Sequence, residues 1–220
     1  MFRIKICGIT TVDDALTAAR AGADAVGLNF YPKSPRHLEP DEARRIVEAL
    51  PPGVVKVGLF VNASPGDVCG TFDRLGLDLV QLHGDEPPDL LAGLGDRAVM
   101  RAFRVGREGL EPVAEYLRRC RGLGCLPRLV LLDSCVKGTY GGTGRVVDWR
   151  VAARYPSDDW HPPLVLAGGL TPDNVAEAIR AVRPAGVDTA SGVESSPGRK
   201  DRALVERFVQ SARQAFQGLP

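Results

Sequence analysis

Eight short apolar runs recur along the chain, each followed by a stretch that reads as helix, and this alternation restricts the fold more than any other feature. The strand candidates fall at 3–7, 25–30, 54–61, 78–83, 98–105, 128–133, 163–167 and 186–190. Helix candidates fall at 13–21, 40–50, 67–75, 87–94, 110–120, 148–154, 175–182 and 201–216. Gly22 follows the first helix as a C-terminal stop, Pro40 opens the second and Pro51-Pro52 ends it. Thr171-Pro172-Asp173-Asn174 predicts a threonine cap with proline at the first helical position. Leu204, Phe208, Ala212 and Phe216 form one apolar stripe on the last helix. Strands that alternate with helices pair in parallel, because each crossover returns to the same sheet edge. Runs such as Leu129-Val130-Leu131-Leu132 and Leu164-Val165-Leu166 are apolar throughout, as strands covered on both faces are. Eight units of about 27 residues favour a closed (β/α)8 TIM barrel over an open doubly wound sheet. A chain of 220 residues then leaves no room for a second domain, so one domain over 1–220 is expected.

Composition excludes several classes. Lys and Arg total 28 against 27 Asp and Glu, a net charge of +1, which offers no field for nucleic acid or an anionic membrane. No apolar run reaches the roughly 18 residues of a membrane span, and Met1-Phe2-Arg3-Ile4-Lys5 does not read as a secretory signal. Five cysteines at irregular spacing suggest no disulfide framework, and a reducing cytoplasm is the expected setting. Cys120 and Cys125 have no accompanying pair or histidine cluster, so ordinary thiols are favoured there over a metal site.

In a barrel of this type, working groups lie where strands end and the following loops begin. The first strand ends Lys5-Ile6-Cys7-Gly8, and alternation sends Lys5 and Cys7 inward together. A thiol beside a lysine gains thiolate character and can remove a proton; the alternative is a small buried hydrophobe. The sixth strand ends Leu131-Leu132-Asp133-Ser134. A carboxyl after three apolar residues needs a partner or a task, either proton donation or capping the next turn. His83, ending the fourth strand, either lines the pocket or is a satisfied structural histidine. Gly168 and Gly169 follow the seventh strand, and Ser191 and Gly192 follow the eighth, at the usual phosphate position of this fold. Glycines there let backbone N–H groups approach phosphate oxygens. Arg36, in the loop after the second strand, either forks onto a substrate carboxylate or is solvated surface. The glycine-rich stretch 138–144 lacks the spacing of a P-loop and reads as a water-excluding lid or a plain connection.

These residues, taken together, resemble phosphoribosylanthranilate isomerase. The resemblance begins with Lys5-Ile6-Cys7-Gly8-Ile9-Thr10 and continues through Gly27-Leu28-Asn29-Phe30, Ser34-Pro35-Arg36 and Val57-Gly58-Leu59-Phe60-Val61-Asn62. Val80-Gln81-Leu82-His83-Gly84, Leu132-Asp133-Ser134, Gly141-Gly142-Thr143-Gly144, Leu166-Ala167-Gly168-Gly169-Leu170 and Ser191-Gly192-Val193-Glu194 follow in order. It implies an Amadori rearrangement of N-(5′-phosphoribosyl)anthranilate to 1-(2-carboxyphenylamino)-1-deoxyribulose 5-phosphate, with no metal or other cofactor. It further implies Cys7 as general base, Asp133 as general acid, Arg36 on the anthranilate carboxylate and the paired glycines as phosphate grip. Lys5, His83, Asp188, Ser191 and Gly192 join Arg36, Gly168 and Gly169 as expected substrate-side residues. The expected partner is thus this phosphosugar–anthranilate substrate, on a monomer or homodimer.

One departure from the family pattern stands out. Asp188-Thr189-Ala190-Ser191-Gly192 replaces a more usual Asp-Val-Ser-Ser-Gly, so a hydroxyl is absent at Ala190. Lys5 either lowers the Cys7 pKa or merely balances a neighbouring carboxylate. Among rivals, the related isomerase of histidine biosynthesis places aspartate where Cys7 stands. A metal-dependent ribulose-phosphate epimerase needs more histidines than the three here. The carbon–carbon-forming decarboxylase next in the pathway requires further catalytic Lys and Glu, and a non-enzymatic phosphosugar-binding barrel would need the glycines but not Cys7 and Asp133.

Overall fold

Leucine- and valine-rich runs become strands here because each can bury both faces, one inside a cylinder and one beneath helices. The computed structural model describes residues 1–106, 108–134 and 148–219. Its strands are β1 (Ile4–Cys7), β2 (Ala25–Asn29), β3 (Val55–Phe60), β4 (Leu79–Leu82), β5 (Val99–Val105), β6 (Leu129–Ser134), β7 (Leu164–Leu166) and β8 (Gly186–Thr189). All eight are parallel and close into a barrel in chain order. The closing seam joins β1 to β8, with Ile4 opposite Val187, Lys5 opposite Asp188 and Ile6 opposite Thr189.

The helices between strands are α1 (Val12–Ala21), α2 (Pro40–Ala49), α3 (Pro65–Leu75), α4 (Pro88–Ala92), α5 (Glu111–Gly122), α6 (Trp149–Ala152), α7 (Val175–Val182) and α8 (Arg202–Gln217). Outward strand residues such as Ile6, Leu28, Val130, Leu132 and Val187 pack with Leu117, Ile179, Val205 and Phe208 of the helices. Inside, Phe2, Ala25, Val57, Leu79, Met100, Leu131 and Val165 fill the lower barrel as a second apolar cluster. Above that floor the interior turns polar: Lys5, Gln81, His83, Asp133 and Asp188 are all buried.

Local chemistry accounts for where elements differ from expectation. Helix α3 starts at Pro65 rather than residue 67, because Ser64 caps it by accepting from the Asp67 N–H. Helix α7 starts at Val175 with Asn174 as cap residue, so Pro172 is not its first position. Thr171 instead accepts from the Asp173 N–H at 3.3 Å within the preceding turn. Helices α4 and α6 are shorter than expected. A small antiparallel hairpin, β9 (Glu194–Ser196) with β10 (Arg199–Lys200), was not anticipated. It reverses at Pro197-Gly198, where Gly198 takes a φ of 82°. The 138–144 stretch lies outside the described residues.

Candidate active site

Period-two alternation on a barrel strand sends every second side chain into the interior. Lys5 and Cys7 therefore enter from β1, and Asp188 enters from β8 at the level of Lys5. Gly27, beside Cys7 on β2, supplies their space: a Cβ there would sit 2.6 Å from the Cys7 Sγ and 3.1 Å from the Lys5 Nζ. The Lys5 Nζ donates to Asp188 Oδ1 at 2.9 Å. Burial by itself would pull the Lys5 ammonium down, but Asp188, aided by Cys7, holds it above its ordinary value. Burial pushes the Asp188 carboxyl up against the pull of Lys5, and Asp133 adds to that push.

Cys7 departs from one expectation. Burial raises its thiol pKa further than Lys5 lowers it, and Asp188 adds to the rise. Its neighbour does not make Cys7 a resting thiolate, because burial outweighs the pull of Lys5 and Asp188 works against it as well. Lys5 is also fully buried, bonded to Asp188 and within electrostatic reach of Cys7.

Across the mouth, the His83 Nε2 lies 3.2 Å from Asp133 Oδ2, without the alignment of a good hydrogen bond. The other ring nitrogen, Nδ1, lies 3.0 Å from Gln81 Nε2, so Gln81 fixes the ring beneath Asp133. The loop carrying His83 is clamped from behind. The Glu86 carboxylate accepts from the N–H groups of Asn62 and Gly84 and pairs with Arg101 at 3.2 Å. Arg101 in turn donates to the carbonyls of Leu82 and Gly84 and lies over the rings of Phe103 and Tyr116. Asp188 feels both Asp133 and His83, so β1, β4, β6 and β8 bring one electrostatically coupled set to the rim.

Arg36 is also at the rim, but its fork is engaged. Its Nε and one terminal nitrogen donate to the two oxygens of Glu194 at 2.8 and 2.6 Å. The Lys200 Nζ donates to Glu194 Oε1 at 2.7 Å and to the Ala190 carbonyl at 3.2 Å. The hydrogen bond to Glu194 raises the Arg36 pKa. Burial opposes ionisation of Glu194, yet Arg36 and Lys200 together hold its carboxyl below the usual range. Burial leaves Lys200 below its ordinary value despite Glu194. Two cations thus share one carboxylate, and Cys7 lies within electrostatic reach of both. Ala190 packs with Cys7, Leu59, Val61 and Tyr31 in an apolar wall. Where the usual serine would offer a hydroxyl, this chain presents a methyl group to that wall and a carbonyl to Lys200.

The glycine loops complete the rim. Gly168 and Gly169 adopt φ of 84° and 66°, which turns the chain sharply after β7. Thr189 Oγ1 donates to the Leu170 carbonyl at 2.7 Å, and Asn174 Nδ2 donates to the Gly169 carbonyl at 2.9 Å. These bonds hold the carbonyls back. Among the described residues, no hydrogen bond uses the N–H of Gly168, Gly169, Ser191 or Gly192. Four half-buried donors on two adjacent loops suit an anion with several oxygens.

Nine of the ten residues expected at the site lie at the strand ends or in the loops that follow them, and Lys5 lies within β1 opposite Asp188. Sequence reasoning did not assign Glu194, Lys200, Gln81, Glu86 or Arg101. The Pro197-Gly198 dipeptide was the available signal for the hairpin that returns Lys200 to Glu194. Among the described residues, no set of three His, Cys, Asp or Glu is arranged to hold a metal ion.

The N-(5′phosphoribosyl)anthranilate (PRA) isomerase family matches residues 4–211. An N-(5′-phosphoribosyl)anthranilate isomerase from Trichlorobacter lovleyi is 52% identical over 217 residues, covering 98% of this chain and all of that protein. Its counterpart from Geobacter sulfurreducens is 48% identical over 214 residues, 97% of this chain and 99% of that one. The crystal structure of phosphoribosyl anthranilate isomerase from Thermotoga maritima superposes with a TM-score of 0.83 at 41% identity, over 97% of this chain and 100% of that one. A further structure of such an isomerase, in complex with reduced 1-(o-carboxyphenylamino)-1-deoxyribulose 5-phosphate, gives a TM-score of 0.80 at 40% identity, over 97% and 100%.

Gly192 offers a test of the anion cradle, since a Cβ there would lie 1.9 Å from the Leu170 carbonyl oxygen. Gly192→Ala should displace one loop against the other and weaken inorganic phosphate binding about tenfold or more by calorimetric titration. Unchanged phosphate affinity in a folded variant would remove these loops from the anion site.

Proposed function

Because the chain belongs to the N-(5′-phosphoribosyl)anthranilate isomerase family, we propose that Cys7 and Asp133 divide the acid–base work of its reaction. The enzyme converts the aminoaldose N-(5′-phosphoribosyl)anthranilate into the aminoketose 1-(2-carboxyphenylamino)-1-deoxyribulose 5-phosphate, a step of tryptophan biosynthesis. The observation that carries the division of roles is the separation of a neutral, buried thiol on β1 from a carboxyl on β6, with Asp188 within electrostatic reach of both.

In this reading Asp133 gives a proton to the ribose ring oxygen, the ring opens, and nitrogen takes up the positive charge as an iminium. That charge acidifies the proton on the adjacent sugar C2. It also stabilises a thiolate at Cys7, adding to the pull of Lys5 and Lys200 against burial. Cys7 removes the C2 proton and the enolamine tautomerises to the ketone. His83, held by Gln81, keeps Asp133 oriented. The amides of Gly168, Gly169, Ser191 and Gly192 receive the phosphate, and the edge of Arg36 not used by Glu194 receives the anthranilate carboxylate. Residues 1–220 act as one barrel domain. With balanced surface charge and no described helix long and apolar enough to cross a membrane, we place the enzyme in the cytoplasm, without a nucleic-acid partner.

Cys7→Ser and Asp133→Asn should each cost about 10²–10⁴-fold or more in kcat, with product affinity largely retained, in an assay of substrate fluorescence. Near-full activity of either variant would end its assignment. Glu194→Gln should loosen Arg36 and raise KM about tenfold while kcat changes little, since one charge-assisted hydrogen bond is weakened. An unchanged KM would take Glu194 and Arg36 out of carboxylate recognition. The raised pKa of Cys7 gives a separate optical test in the substrate-free enzyme. Thiolate absorbance at about 240 nm, taken as wild type minus Cys7→Ser, should grow only above pH 9.0, the ordinary thiol value. A difference already complete at neutral pH would mean that Lys5 and Lys200 outweigh burial.

A further inference from the structure

Helix α5 ends in a turn that pairs two cysteines the isomerase reaction does not use. Its last turn closes with Gly124 at φ 68°. The Gly124 N–H bonds to the Arg121 carbonyl at 3.1 Å, and the Cys125 N–H bonds to the Cys120 carbonyl at 2.9 Å. Those two bonds define a Schellman motif, and such a motif brings the side chains at its two outer positions into contact. In most helices the two are apolar residues. Here they are Cys120 and Cys125, both packed in the apolar cluster of Leu91, Leu94 and Val99. Both thiols are free. A disulfide needs Cα atoms about 4.4–6.8 Å apart with Cβ atoms facing, and a pair joined through its backbone at the two outer positions of a Schellman turn needs only side-chain rotation to reach it.

The two sulfurs differ in access. Cys120 is fully buried. Cys125 is half-buried, donates to the Pro88 carbonyl at 3.5 Å, and lines a cleft of about 640 Å³ with Leu123, Leu126 and Arg128. The cleft opens at the end of the barrel opposite the active site, where the helix-to-strand turns lie.

We propose that Cys120 and Cys125 form a reversible dithiol–disulfide site, oxidised from the cleft by low-molecular-weight disulfides. Cys125, as thiolate, attacks one sulfur of R–S–S–R; that bond breaks and R–S⁻ leaves, taking up the proton Cys125 lost. Cys120 then attacks the Cys125 sulfur, expels the second R–S⁻ and passes its own proton to it. Two protein thiols are oxidised, one small disulfide is reduced to two thiols, and the helix end is stapled to the turn that follows. Burial, with the neighbouring Cys125, pushes the Cys120 thiol up to about 12, which fits Cys120 as resolving and not attacking sulfur.

The test uses the native full chain and excess hydroxyethyl disulfide, followed by intact mass and peptide mapping. Cys120 and Cys125 of the wild type should together lose two hydrogens and carry no adduct, the link should map to residues 120 and 125, and dithiothreitol should reverse it. Cys120→Ala should stop at a single hydroxyethyl adduct on Cys125. Cys125→Ser, whose substitution is at the half-buried position, should leave Cys120 unmodified. A lasting adduct on Cys125 in the wild type, a link from either residue to another cysteine, or two untouched thiols after prolonged exposure would each overturn the assignment.

Discussion

The seam that closes the barrel is spanned by an ion pair between residues almost a whole chain apart. Lys5 and Asp188 meet at 2.9 Å across the β1–β8 seam, both buried inside the cylinder. Removing either partner would strand a charge in the barrel, and breaking such a pair costs about 3–5 kcal/mol. The pair also separates the molecule's two kinds of interior. Below it lies an apolar floor of Phe2, Ala25, Val57 and Met100, which tolerates no charge. Above it the interior combines the polar groups Cys7, Gln81, His83 and Asp133 with the apolar wall of Leu59, Val61 and Ala190. The same salt bridge that spans the seam therefore marks the level at which chemistry begins.

Charge accounting above that level explains the chosen residue types. Burial holds Cys7 as a thiol in the resting site, and Asp188, which pairs with Lys5, adds to that effect. Arg36 and Lys200 share Glu194, which leaves one positive charge in excess beside the apolar wall of Leu59, Val61 and Ala190. An excess buried cation is costly without an anion, and in the proposed reading the aromatic carboxylate of the substrate supplies one. On that proposal specificity follows from geometry: Glu194 grips two nitrogens of Arg36 and leaves one edge of the fork, which would admit a planar carboxylate in one orientation.

Much of this was legible in the chain itself. Alternating apolar runs announced strands, and their number announced closure. Cys7, Asp133 and His83 could be found because each ends a strand whose preceding residues are plainly buried. Glu194 and Lys200 were harder, since the hairpin that joins them is held by three-dimensional pairing of short, polar strands with no apolar alternation. Arg101 was hidden for the opposite reason. It interrupts the apolar β5 run, and only the structure shows its outward face between Phe103 and Tyr116, supporting the loop of His83. Thr171 misled because its hydroxyl bonds locally, a choice that threonine's short side chain leaves open until the turn is formed.

The two ends of the barrel carry out different work for a single physical reason. At the mouth, loops leave strands, so backbone N–H groups and inward side chains converge on one volume, and opposing charges can be set against each other. At the other end, loops leave helices, and their geometry is dominated by helix C-termini that must satisfy their last carbonyls. The α5 terminus does so with a Schellman turn, and that turn forces two side chains together whatever they are. With leucines the contact would add only packing. With Cys120 and Cys125 the identical backbone geometry acquires reactivity, set apart from Cys7 by the full depth of the apolar floor.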